Sequence, residues 1–561
     1  MIPYIDIPFA YLGRLIGASP DELKLIFSFL LSYPLAGLLK RVPDARPAYK
    51  NLFSLGVSFF YLVGLFNLWD GLRTLLFSAA GAYAIAKFLR GEKYMPWVGF
   101  VFLMGHMSIN QIARMRADNP RSVDVTGAQM VLVMKLSSFC WNVADGALPE
   151  SELSDFQKDR RLTELPNLLD YAGYVFFFPS LLVGPAFDFV EYRRWLDCSM
   201  FDVPVAVDPA KKPPTRRKRK IPRSGTPAMR KLIMGLAWLG LYVKLSGPYD
   251  PNVLLSDKYA GYDFLKRVLV LHMVPFTART KYYAVWTLTE GACILTGLGY
   301  NGVDPATGKV SWDRLVNIKP MGVELAQNTR GYLENWNINT NKWLRNCIYL
   351  RVTPRGQKPG FRATVATFFT SAFWHGFYPG YYLSFLLASF IQTVAKNFRR
   401  YLRPFFLDPK TQAPLPTKKY YDFFSWLVTQ VTFSFVTAPF LILSLSGSLT
   451  VWSRVYFYAV IGTALSWALF ESPAKPALRR ALEQRAAAAG AGGEGGKKEG
   501  QKQTGGLPRS ASTDSLASRE PVLGLSAALD TDLDAAIEEI KAGVEMRRAS
   551  LKAAQQRSKR A

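Results

Sequence analysis

Histidine is nearly absent: His106, His272 and His375 are the only three imidazoles in 561 residues. Cysteine is almost as scarce, and Cys140, Cys198, Cys293 and Cys347 stand far apart with no CxxC pair, which argues against a disulfide framework and against a zinc site of the usual spacing. No acidic cluster accompanies the imidazoles, so no metal is expected. Acidic residues number 42 against 69 Lys and Arg, a net charge of +27. In a soluble chain that excess would suggest nucleic acid. Here 49% of residues are hydrophobic, 14% aromatic and only 20% charged, a balance that is hard to hide from water. The basic charge therefore belongs first to cytoplasmic loops and anionic lipid surfaces, and nucleic-acid binding is set aside. Met1 to Ala10 has no basic start and no cleavage site follows, so the first apolar run reads as a retained anchor.

Apolar runs long enough to cross a hydrocarbon layer of roughly 30 Å recur almost to residue 470. Thirteen segments can be delimited between Lys24 and Phe470, among them Asn51 to Trp69, Leu168 to Phe187, Phe264 to Ala278, Lys281 to Gly299, Phe361 to Trp374 and Leu449 to Phe470. Several are interrupted by polar residues or prolines, which at membrane depth must face protein or a water-filled cavity. The expected fold is all-α: a polytopic membrane protein of about 11 transmembrane helices with re-entrant segments. Lys40, Arg41, Arg90 and Lys93 place one side in the cytosol and the N-terminus in the lumen. The basic run from Lys211 to Lys220 falls on the opposite side if every intervening segment crosses, so one interrupted segment is expected not to span.

Residues 1–475 read as one multi-spanning domain, 476–524 as a low-complexity disordered linker, and 525–561 as an amphipathic C-terminal helix. That helix could serve a protein partner. The run 211–220 is read as a topology signal or a patch for anionic lipid.

One polar cluster interrupts this apolar chain. Glu334 to Asn346 holds five asparagines and two tryptophans, and a basic loop with Arg351, Arg355, Lys358 and Arg362 follows. Asparagine is costly to bury because its amide must satisfy two donors and an acceptor, so the segment suits the rim of a polar chamber. Then comes His375, in the run Phe368 to Gly376. An ionisable group in such a run is a functional suspect by default. Burial favours its neutral form, which is ready to accept a proton, and Asn337 could hydrogen-bond a developing oxyanion. Lys342, Arg345 and Arg351 would suit the phosphates of an acidic cosubstrate. Taken alone, however, a single histidine among aromatics is more often packed core than catalyst.

The run Trp336-Asn337-Ile338-Asn339-Thr340-Asn341-Lys342-Trp343-Leu344-Arg345, followed by Ser371-Ala372-Phe373-Trp374-His375-Gly376, resembles the paired signature of the membrane-bound O-acyltransferases, specifically their lysophospholipid acyltransferase branch. Thr126 to Leu136 with Trp141-Asn142 and Asp145-Gly146, Phe177 to Pro185, and Tyr282-Tyr283 with Trp286 and Glu290-Gly291 look like the same branch, closest to the fungal broad-specificity enzymes. The resemblance spans roughly residues 10–470. It implies transfer of an acyl group from acyl-CoA to the free hydroxyl of a lysophospholipid at the endoplasmic reticulum membrane, with His375 as base and Asn337 as its partner. Asn339, Thr340, Trp343, Arg345 and Trp374 would line the substrate chamber or contact CoA. No cofactor beyond the cosubstrate is implied, and Lys135 and Glu290 would be structural pairs or chamber lining. Three competing readings remain: an enzyme of this family acting on diacylglycerol, a sterol or a protein; a non-enzymatic transporter, for which many broken spans are equally expected; and a membrane scaffold.

Overall fold

In the computed structural model the chain is all-helical, with no strand beyond three isolated bridges among the described residues. These are residues 4–491 apart from 17, 118–123, 205–206, 208–210, 216–218, 354–356 and 358–359. The expected tail helix 525–561, most of the linker, and Arg216 to Lys218, Arg355 and Lys358 lie outside them.

After a helix at Asp6–Ile16 come five longer ones: α1 Pro20–Leu39, α2 Pro47–Phe59 continued by a π-helical turn Phe60–Leu65, α3 Trp69–Phe88, α4 Met95–Arg116 and α5 Thr126–Gly146. α1 begins cleanly because Ser19 and Glu22 form a reciprocal capping box ahead of Pro20. α5 is buried on nearly every side, which explains why its sequence lacks a polar stripe. After a stretch of short helices come α6 Gly225–Ser246 and α7 Phe264–Thr296. Gly235 lets α6 approach α7 closely, since a Cβ there would stand 2.6 Å from Leu288 Cγ. The polar motif forms the short helix α8 Ile338–Leu344, and α9 Phe361–His375, α10 Pro379–Tyr401, α11 Lys418–Ile442, α12 Tyr458–Glu471 and α13 Ala474–Ala491 complete the chain.

Several sequence boundaries change. Phe264 to Ala278 and Lys281 to Gly299 are not two segments but the single 33-residue α7. Arg279, which falls in the gap between those two runs, stays helical, its guanidinium paired with both carboxylate oxygens of Glu324 at 2.8 Å, and Tyr283 donates to the same carboxylate. Leu168 to Phe187 is broken into an eight-residue helix, Leu168–Val175, and a 3-10 turn, Phe178–Ser180. Eight residues rise only about 12 Å, too little to cross. Leu449 to Phe470 is divided between Leu445–Arg454 and α12. α13 runs into the residues read as linker. Among the described residues, α1 and α11 are the two helices long and apolar enough to cross a membrane by length and composition alone, with mean hydropathies of 1.5 and 1.4 over an 18-residue stretch of each.

These corrections resolve the conflict over the basic run. Arg219 donates to the carbonyls of Arg41 and Val42, the Lys220 amide donates to Asp44, and Lys40 donates to the Pro222 carbonyl and Ser224 Oγ. The loop thus sits against the end of α1, on the same side as Lys40 and Arg41.

Candidate active site

One face of α5 receives both halves of the polar motif. Trp374 Nε1 donates to the Met130 carbonyl at 3.1 Å, Thr340 Oγ1 lies 3.3 Å from Met134 Sδ, and Trp343 Nε1 donates to Ser137 Oγ at 2.8 Å. Further along, Arg351 lies over the Trp141 ring, 4.2 Å from its centroid, and is paired bidentately with Asp145 at 2.7 and 2.5 Å. Positions 130, 134, 137, 141 and 145 form one helical stripe. The indole of Trp374, next to His375, meets α5 at the level of Met130, and the hydroxyl of Thr340, which bonds Asn337, meets it at the level of Met134. One helical turn, roughly 5 to 6 Å, separates those levels. Trp343 and Trp374 touch between them, with ring centroids 5.9 Å apart.

Asn337 occupies the left-handed region (φ 45°, ψ 52°) at the start of α8, a conformation asparagine tolerates. Its Oδ1 accepts from Thr340 Oγ1 at 2.8 Å and from Asn317 Nδ2 at 3.2 Å, which leaves its own NH2 as a donor. Asn317, which sequence reading missed, is buried and pins this turn three times. Besides that bond, its Oδ1 accepts from the Asn339 amide and its carbonyl accepts from the Ile338 amide. Replacing Asn317 with Ala should lower kcat by about a hundredfold with little change in KM, because small misplacements of reacting groups have costs of that order. Steady-state kinetics of the purified variant measure this.

His375 ends α9, and Gly376 beyond it has φ +128°, a conformation side chains rarely adopt. The imidazole is half-buried among Trp374, Tyr381, Phe385 and Phe440 and makes no hydrogen bond among the described residues. No hydrogen bond joins it to Asn337. The carbonyl end of α9 favours the positive charge a proton acceptor acquires there.

Beside the motif lies a cavity of about 100 Å³, lined among others by Lys135, Arg160, Arg314, Asn339, Lys342 and Arg351. Trp141 Nε1, Asn142 Nδ2 and Asn339 Nδ2 are buried without partners, and all three residues line it. The cavity therefore offers cations and unsatisfied donors together, with Asp188 and Glu191 held by Arg160 on one wall. Trp343 lines it too, whereas Thr340, Arg345 and Trp374 do not. Thr340 orients Asn337, Trp374 anchors α9, and Arg345 bonds to Asn346. Arg160 and Arg314, 154 residues apart, had no local signal. Lys135 donates to the Tyr174 carbonyl at 2.5 Å, and Glu290 pairs with Lys231 at 2.7 Å, so the two charges are not partners.

Thr340, Trp343 and Trp374 thus bring the asparagine-rich turn and the end of α9 onto one buried helix of an all-helical bundle. Residues 121–437 match the membrane-bound O-acyltransferase family, MBOAT. A Schizosaccharomyces pombe protein named lysophospholipid acyltransferase is 46% identical over 481 residues, 86% of this chain and 92% of its own. A Saccharomyces cerevisiae protein of the same name is 44% identical over 466 residues, covering 82% and 75%. Human membrane-bound glycerophospholipid O-acyltransferase 2 is 30% identical over 365 residues, covering 64% and 67%. The chain belongs to the membrane-bound O-acyltransferase family.

Proposed function

We propose that this protein is a lysophospholipid acyltransferase that moves a fatty acyl group from acyl-CoA to the free hydroxyl of a lysophospholipid. The observation that carries the reading is the docking on one face of α5 of the Asn337 turn, through Thr340 and Trp343, and of the end of α9, through Trp374, beside a cavity lined by cations and unpaired donors. His375 takes the hydroxyl proton as the oxygen attacks the thioester carbonyl. The Asn337 amide donates to the oxyanion or positions the acceptor. The tetrahedral intermediate then collapses, the C–S bond breaks, and the imidazolium returns its proton to the departing CoA thiolate. No covalent acyl-enzyme is needed. Lys342, Arg160 and Arg314 suit the CoA phosphates, and the donors of Trp141, Asn142 and Asn339 suit its acceptor-rich remainder.

The long helices α1 to α7 and α9 to α12 supply eleven crossings, with Leu168 to Phe187 and the α8 region re-entrant, in a catalytic domain of residues 1–475 in the endoplasmic reticulum membrane. α13 extends this domain to Ala491, and residues 525–561 serve a protein partner. With acyl-CoA and a panel of acceptors, microsomes bearing the protein should acylate lysophosphatidylcholine and related lysophospholipids. Transfer to diacylglycerol, a sterol or a peptide, with none to lysophospholipids, would overturn the reading.

A further inference from the structure

Gln111 is the buried polar side chain nearest the end of α9 that the mechanism leaves unused. It lies near the end of α4, is 4% exposed, and donates from Nε2 to the carbonyl of Trp374 at 2.7 Å. Its Oε1 is buried without a hydrogen-bond partner. A side chain at Gly376 would meet Gln111 Cδ at 3.8 Å, so the amide sits against the residues on both sides of His375. An unpaired acceptor in a protein interior has a cost that selection of the site must offset, and a donor should reach it at some stage of the cycle. His375 has complementary needs. Its ring lies against four aromatic rings, and no hydrogen bond within the described residues fixes its tautomer. A histidine base must present one bare nitrogen to the nucleophile, and the partner of the other nitrogen decides which one.

We propose that Gln111 is a positioning residue for His375: Nε2 holds the end of α9 through the Trp374 carbonyl, and Oε1 accepts the N–H of the imidazole while its other nitrogen takes the acceptor's proton. The inference rests on the proposed role of His375. In the imidazolium stage both ring nitrogens carry hydrogen, and Gln111 satisfies the one that does not face the substrate. No proton passes to the amide.

Two substitutions in the full-length purified enzyme test this, with lysophosphatidylcholine and oleoyl-CoA as substrates. Gln111→Met keeps the length and removes both polar groups. Gln111→Glu, as a neutral acid, keeps one donor and one acceptor. Gln111→Met should lower kcat about tenfold to a hundredfold while both KM values stay within about twofold, the pattern of a misoriented reacting group. Gln111→Glu should recover most of that loss, and both variants should keep the parent's melting temperature. Unchanged kcat in Gln111→Met, a loss carried by KM, or equal losses in both variants would overturn the proposal. His375→Ala in parallel separates the failures. If it remains active, the role of His375 itself falls; if it is inactive while Gln111→Met is unaffected, only Gln111 is released.

Discussion

His375→Ala should abolish acyl transfer, by about a hundredfold to ten-thousandfold, the range a positioned general base contributes. Its abundance in the membrane should stay at the level of the parent. The imidazole lies against four aromatic rings and makes no hydrogen bond among the described residues, so its loss strands no hydrogen-bond partner there. The cavity left by truncation is bordered by aromatic rings, and Gln111 Oε1 is already unpaired in the structure, so truncation breaks no existing hydrogen bond there. Activity and abundance should therefore separate, and quantitative immunoblotting beside the microsomal assay measures both. A transporter or scaffold would show no such separation in an acyl-transfer assay, because it would have no transfer to lose.

Arg351→Met should have the largest effect on stability. Asp145 is almost fully buried, and its carboxylate is satisfied by both guanidinium nitrogens of Arg351 and by Gln157 Nε2. Removing the arginine strands a buried negative charge at the end of α5, and such losses cost about 3 to 5 kcal/mol. The same substitution removes the cation stacked on Trp141 at the cavity wall, so activity should fall with stability. The sign can be checked by the double variant Asp145→Asn with Arg351→Met, which removes the stranded charge and should recover part of the melting temperature in detergent. If Arg351→Met melts like the parent, the pair is not a structural element.

What the sequence makes legible is local. The apolar lengths announce the bundle, the capping box at Ser19 marks the start of α1, and the cost of His375 in an apolar run singles it out from residue types alone. Asn337 and the basic residues after it are legible for the same reason, since their types conflict with their neighbourhood. The rest depends on partners far along the chain. The gap left at Arg279 between two apolar runs closes only once Glu324, 45 residues later, is seen beside it. Asn317 stands in an unremarkable loop, and only folding brings it under Asn337. Gln111 carries no signal in the sequence, and only folding brings it to the Trp374 carbonyl, 263 residues away. The segment boundaries within α7 are misjudged for a related reason: a polar residue that reads as a break in an apolar run can continue the helix when an ion pair within the bundle receives it.

The arrangement of acceptor, His375 and Asn337 in one chamber is tested most directly by a cryo-EM structure of the full-length protein in lipid, with a non-hydrolysable acyl-CoA and lysophosphatidylcholine bound. The free glycerol hydroxyl should lie within about 3 Å of an imidazole nitrogen of His375, the reach a general base requires, with the thioester position beside Asn337. A hydroxyl bound away from His375, with the imidazole still closed among Trp374, Phe385 and Phe440, would contradict the account.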